Sequence, residues 1–153
     1  MTTPRIFASV DELAEAKGES FGPTEWVQID QERVDRFAEA TGDRQWIHVD
    51  PERAASGPFG GTIAHGFLTL SLLPTLQAQL YTVENVKVGI NYGLNKVRFP
   101  APVPVGKRVR LSSTLTDVRK TEGFVESIVT STLEVEGSDK PACVIESVGR
   151  LYA

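Results

Sequence analysis

The stretch Ala64-His-Gly-Phe-Leu-Thr-Leu-Ser-Leu-Leu-Pro-Thr-Leu-Gln-Ala-Gln-Leu-Tyr81 decides the fold. It is helical in length, and between Phe67 and Leu76 apolar residues fall on nearly every face, so the helix has to be buried. At ~1.5 Å per residue it would run about 25 Å, enough to pass through the centre of a small domain. Pro74 removes one backbone bond and should bend it. Thr69, Ser71, Thr75, Gln77 and Gln79 leave it too polar and too short to span a bilayer.

Downstream, β-branched alternation predicts five strands: Val86 to Tyr92, Asn95 to Phe99, Arg108 to Val118, Phe124 to Val135 and Ala142 to Tyr152. Val109, Leu111 and Leu115, and likewise Val125, Val129, Leu133 and Val135, keep period two and give the sheet one apolar face. Pro100, Pro102, Pro104 and Gly106 interrupt the sheet between the second and third strands. A curled antiparallel sheet around one buried helix satisfies both patterns. The expected class is α+β, and the architecture resembles the hot-dog fold. Such a sheet leaves edge strands unprotected in one copy, so pairing across a two-fold axis, a homodimer, is the expected remedy.

Upstream, cap chemistry marks three shorter helices. Ser9 with Glu12 forms a capping box for Val10 to Ala16, stopped by Gly18. After an extended piece, Trp26 to Ile29, Asp30 caps a second helix. Ile29 and Val34 are placed as its hydrophobic staple, and Gly42 ends it immediately before Asp43. Asp50-Pro51 opens a third, Glu52 to Ala55, closed by the turn cluster Ser56-Gly-Pro-Phe-Gly-Gly61.

Composition narrows the function. The 153 residues are 41% hydrophobic with a net charge of -4, which fits a single domain over 1–153 and gives no general attraction for nucleic acid. One cysteine, Cys143, excludes an internal disulfide and fits an intracellular, cytoplasmic setting; it reads as a small core residue rather than a nucleophile. The start, Met1-Thr-Thr-Pro-Arg5, leads into polar sequence without the apolar core of a secretory signal, and no membrane association is expected.

Asp43 and His48, five residues apart, fall between two well-signalled helices, in a predicted irregular loop anchored at both ends. A carboxylate can take a proton from water while a near-neutral imidazole holds that water or returns a proton. The free N–H groups at the start of the Ala64–Tyr81 helix could steady charge on a substrate oxygen. Plainer readings stand beside these: Asp43 as a turn residue, His48 as a structural histidine, His65 capping or packing near the helix start, and Asp50 as a cap. His48, Asp50 and His65 lack the spacing of a recognised metal motif, and no metal is expected. Ser71 and Ser112 have no neighbouring base for a nucleophilic triad, and the Gly57–Gly61 glycines lack the context of a phosphate loop.

The run Phe37-Ala-Glu-Ala-Thr-Gly-Asp-Arg-Gln-Trp-Ile-His-Val-Asp-Pro-Glu-Arg-Ala-Ala55 resembles the signature of the (R)-specific enoyl-CoA hydratases of the MaoC-like dehydratase family. Thr62-Ile-Ala-His-Gly-Phe-Leu-Thr69 resembles that family's turn into its central helix. Asn91 to Val103 resembles its strand-and-proline segment, and Val105-Gly106 the turn that follows. Gln45-Trp46 stand where the family commonly has Asn-Pro, but the Asp-to-His spacing is kept.

The resemblance implies reversible addition of water to a trans-2-enoyl thioester. Asp43 would deprotonate water, His48 would orient it and help deliver a proton to C2, and the Gly66 backbone N–H would serve the thioester oxygen. Coenzyme A or acyl carrier protein would enter only as part of the substrate, with no redox cofactor or metal. Asn91, Tyr92, Asn95 and Trp46 are candidate substrate-lining residues. Lys96, Arg98, Lys107 and Arg108 are candidates for nucleotide phosphates or, equally, a solvated sheet edge. A thioesterase of the same architecture, and a non-catalytic acyl-thioester-binding subunit of a dehydratase complex, are the alternatives.

Overall fold

Alternating apolar side chains make the long strands, and their greasy face collects the helices. The computed structural model describes residues 3–153; Met1 and Thr2 of the N-terminal stretch lie outside them. In chain order the elements are β1 (Arg5–Phe7), α1 (Val10–Glu15), β2 (Ser20–Phe21), β3 (Val27–Gln28), α2 (Gln31–Thr41), α3 (Trp46–Val49) and α4 (Pro51–Ala55). There follow α5 (Gly66–Ser71), α6 (Leu73–Leu80), β4 (Tyr81–Val83), β5 (Val88–Arg98), β6 (Arg108–Lys120), β7 (Val125–Val135) and β8 (Cys143–Tyr152).

The main sheet is antiparallel and six-stranded, in the order β2-β6-β7-β8-β5, with β3 pairing the same outer edge of β6 as β2. Leu111 faces Leu133 and Leu115 faces Val129 across β6 and β7, and the Ser113 and Ser131 hydroxyls between them share a 2.7 Å hydrogen bond. That bond satisfies two buried hydroxyls in an otherwise apolar row. Leu68, Leu73, Leu76 and Leu80 of α5 and α6 pack with Val109, Leu111, Leu133, Val135, Cys143 and Ile145 of the sheet. A smaller cluster, Phe7, Leu13, Leu115 and Val129, sits beneath α1. Burial pushes the Cys143 thiol up to about 11. Among the described residues, no helix is long and apolar enough to cross a membrane.

The caps lie where the side chains require them. Asp30 accepts from Arg33 N at 2.8 Å, and Gly42 closes α2 with a left-handed φ of 85°. Glu12 reaches back to accept from Ala8 N at 2.5 Å, one residue beyond the Ser9 amide that a strict capping box uses.

Four expectations need correction. The central helix is two segments joined at Leu72, not one bent rod. Leu72 N donates to Thr69 O at 3.2 Å, a tightened last turn, and Pro74 lies in the first turn of α6, where no N–H partner is needed. The helix is also not covered all round, since Phe67 is 70% exposed. The two expected strands Val86–Tyr92 and Asn95–Phe99 are one strand, β5, whose bulges absorb the turn-like Tyr92 and Asn95. Finally, the supposed loop between α2 and α4 contains the helical turn α3.

Asp50 accepts from Arg53 N at 3.1 Å as the cap of α4. Asp50→Ala should therefore lose about 1 kcal/mol of stability in urea denaturation while the fold, followed by circular dichroism, is retained.

Candidate active site

Three pieces of chain meet at the start of α5. Past Gly42, Asp43 N donates to Thr41 Oγ1 and Asp43 Oδ1 accepts from Gln45 N, both at 3.3 Å, an Asx-type turn that leads directly into α3. Asp43 is exposed. The α3 turn lifts His48 into the interior, where it is 6% exposed. Ile63 N donates to Ile47 O at 3.0 Å, and Ala64 N to Val103 O at 2.8 Å, so the segment before α5 is clamped between α3 and the proline segment.

Gln31, the first residue of α2, ties these pieces together. Its Nε2 donates to His48 O at 2.7 Å and to Asp35 Oδ1 at 2.9 Å, while its Oε1 accepts from Thr62 Oγ1 at 2.7 Å. No sequence motif marks it; its position one residue after the Asp30 cap was the available signal.

His48 Nδ1 lies 2.7 Å from the Ile63 carbonyl. A carbonyl only accepts, so in the neutral ring Nδ1 carries the hydrogen and Nε2 keeps its lone pair. Burial holds His48 below its ordinary value of 6.5, and the neighbouring His65 adds to that; the Ile63 carbonyl and the Asp43 carboxylate oppose it. His65 Nε2 lies 3.0 Å from the Asp43 carbonyl, and the His65 ring stacks on His48 at 3.8 Å between centroids and 22° between planes.

A carboxylate oxygen of Asp43 and one ring nitrogen each of His48 and His65 lie within 4.8 Å of one another. For a water molecule the spacing is good, because two hydrogen bonds of about 2.8 Å to one oxygen span that gap.

Beside His48 opens a cavity of about 280 Å³, walled by Phe59, Ile63, Ala64, Phe99, Pro102 and Val103 and reaching Gly66 and Thr69. Gly66 is the first residue of α5, so its N–H has no intrahelical acceptor. A Cβ at Gly66 would stand 3.2 Å from the Phe99 ring. The structure thus sets Asp43 beside His48, and sets His48 and Gly66 on one cavity whose walls do not include Asp43.

The other candidates do not line this cavity. Asn91 lines a separate groove of about 350 Å³ between the helices and β5, β7 and β8. Tyr92 is stacked under Arg150, 3.4 Å from the ring centroid, and Asn95 is an exposed bulge residue. Trp46 packs on the Arg53 guanidinium and over Gly57. Arg108 is paired with Glu136, while Lys96 and Arg98 are exposed on β5.

The MaoC like domain matches residues 12–138 of the chain. The 3-hydroxyacyl-thioester dehydratase Z of Mycobacterium tuberculosis (strain ATCC 25618 / H37Rv) is 65% identical over 150 residues, 97% of this chain and 99% of that protein. The (R)-hydratase from A. caviae involved in PHA biosynthesis superposes with a TM-score of 0.72 at 26% identity, over 87% of this chain and 94% of that one. A monoamine oxidase regulatory protein from Archaeoglobus fulgius, at TM-score 0.78 and 20% identity over 98% of this chain and 97% of that one, shares the fold.

With its folded-state value lowered, His48 binds its proton more readily in the unfolded chain. Its contribution is therefore neutral above the ordinary value and increasingly destabilising as pH falls through and below it. Thermal melts should find that His48→Gln loses less Tm than the parent chain between about pH 7 and pH 5.

Proposed function

The chain belongs to the MaoC-like domain family, and from that premise we propose that it is a hydro-lyase of acyl thioesters, adding water reversibly to a trans-2-enoyl thioester to give the (R)-3-hydroxyacyl thioester. One arrangement carries this reading: a carboxylate and a neutral imidazole within 4.8 Å of each other, with His48 on the wall of an apolar cavity that also reaches an open backbone N–H at Gly66.

Water sits between Asp43 and His48. The Nε2 lone pair of His48 accepts one of its hydrogens and the Asp43 carboxylate the other. As the water oxygen bonds to C3, the O–H bond facing Asp43 breaks and the carboxylate takes that proton. The C2–C3 double-bond electrons move onto the thioester, whose oxygen becomes an enolate and accepts from Gly66 N–H; an oxyanion donor of this kind is typically worth about 3–4 kcal/mol. The proton then passes from Asp43 to C2 while His48 steadies the new hydroxyl. Hydroxyl and proton arrive on one face, which makes the addition syn. Atoms balance with water alone, so the step requires no redox cofactor and no metal, and coenzyme A or acyl carrier protein enters as part of the substrate.

The active form is a homodimer. β5 is the edge of the main sheet, and Val88, Ile90, Tyr92 and Leu94 along it are exposed, a row that a second copy would cover by continuing the sheet. Ile90→Lys should shift the chain toward monomer in size-exclusion chromatography with light scattering.

Hydration of crotonyl-CoA, followed by loss of enoyl absorbance with chiral analysis of the product, tests the activity. Asp43→Asn and His48→Gln should each lower kcat by about 100-fold or more with circular dichroism unchanged. Free thiol release without hydration would instead mark a thioesterase, and full activity in either variant would remove that residue from the mechanism.

A further inference from the structure

The site holds one more ring than the chemistry so far uses. His65 is 3% exposed, lying between His48 on one side and the Phe37 ring, 4.9 Å away between centroids, on the other. Its Nε2 meets the Asp43 carbonyl at 3.0 Å, which obliges Nε2 to carry the hydrogen. Its Nδ1 is buried without a hydrogen-bond partner. That leaves Nδ1 as the lone-pair nitrogen of the neutral ring, facing no donor.

We propose that His65 is a positioning residue for the reacting pair: its N–H anchors the backbone of Asp43, and its plane backs His48 so that the His48 ring stays oriented with Nε2 open to water. The inference rests on Asp43 and His48 being that pair. The titratable groups facing His65 are His48 from α3 and Asp43 from the turn before it; α2 contributes the uncharged Phe37. The nearby Arg44 is engaged by Glu39 at 2.8 Å.

Two substitutions separate the two roles. His65→Phe keeps a ring under His48 and deletes the donor to Asp43. It should lower kcat by about 10- to 100-fold with little change in KM, and leave the His48 titration low. His65→Gln deletes the ring and admits water, so the His48 titration should move up and the acid limb of the kcat/KM profile should move up with it.

The chain contains two histidines, so in either variant the one remaining imidazole signal in NMR is that of His48. The unsubstituted chain supplies a readout that needs no variant to fold. Long-range ¹H–¹⁵N spectra, recorded where the ring is neutral, should find His65 as the Nε2–H tautomer. An Nδ1–H tautomer of His65, an unmoved His48 midpoint in His65→Gln, or full kcat in His65→Phe would each overturn the proposal. Absence of hydration by the unsubstituted chain would instead sink the reading of Asp43 and His48, so the two failures are distinct.

Discussion

The bond between His48 Nδ1 and the Ile63 carbonyl is the constraint on which the site depends. It sets the tautomer, which decides that the other nitrogen is a base toward water rather than a donor. It also joins two parts of the chain that meet only on folding: the α3 turn, and the segment that hands over from the turn cluster to α5. The reciprocal contacts from Ile63 N to Ile47 O and from Gln31 to Thr62 and the His48 carbonyl repeat the same connection in backbone and side chain. A site secured at several points keeps its geometry without relying on the rigidity of any one loop.

Environment divides the work between the two groups proposed to react. Asp43 sits in an exposed Asx turn; His48 is enclosed, where burial favours the neutral ring. The enclosed ring is therefore in the form that accepts a hydrogen of water. The apolar walls of Phe59, Ile63, Phe99 and Val103 on the His48 side keep bulk solvent from competing for those hydrogen bonds.

Capping chemistry was the most legible layer of the sequence, because Ser9, Asp30, Gly42 and Asp50 each answer a local need for a donor, an acceptor or a left-handed residue. The three long strands β6, β7 and β8 followed from period-two burial. Errors arose where tertiary contacts overrule local signals. Tyr92 and Asn95 looked like a break, yet pairing with β8 carries the strand through them as bulges. Leu72 gave no sign of separating α5 from α6. Asp43 and His48 were legible as a spaced pair, whereas Gln31 and His65 matter through partners 17 to 31 residues away, and no local pattern encodes such a partnership.

Cys143 lies at the start of β8 with no exposed surface, and its thiol is pushed up to about 11. At neutral pH it therefore presents almost no thiolate, the form that attacks disulfides and electrophiles. A disulfide reagent added to the native protein should consequently draw close to no colour from the polypeptide itself.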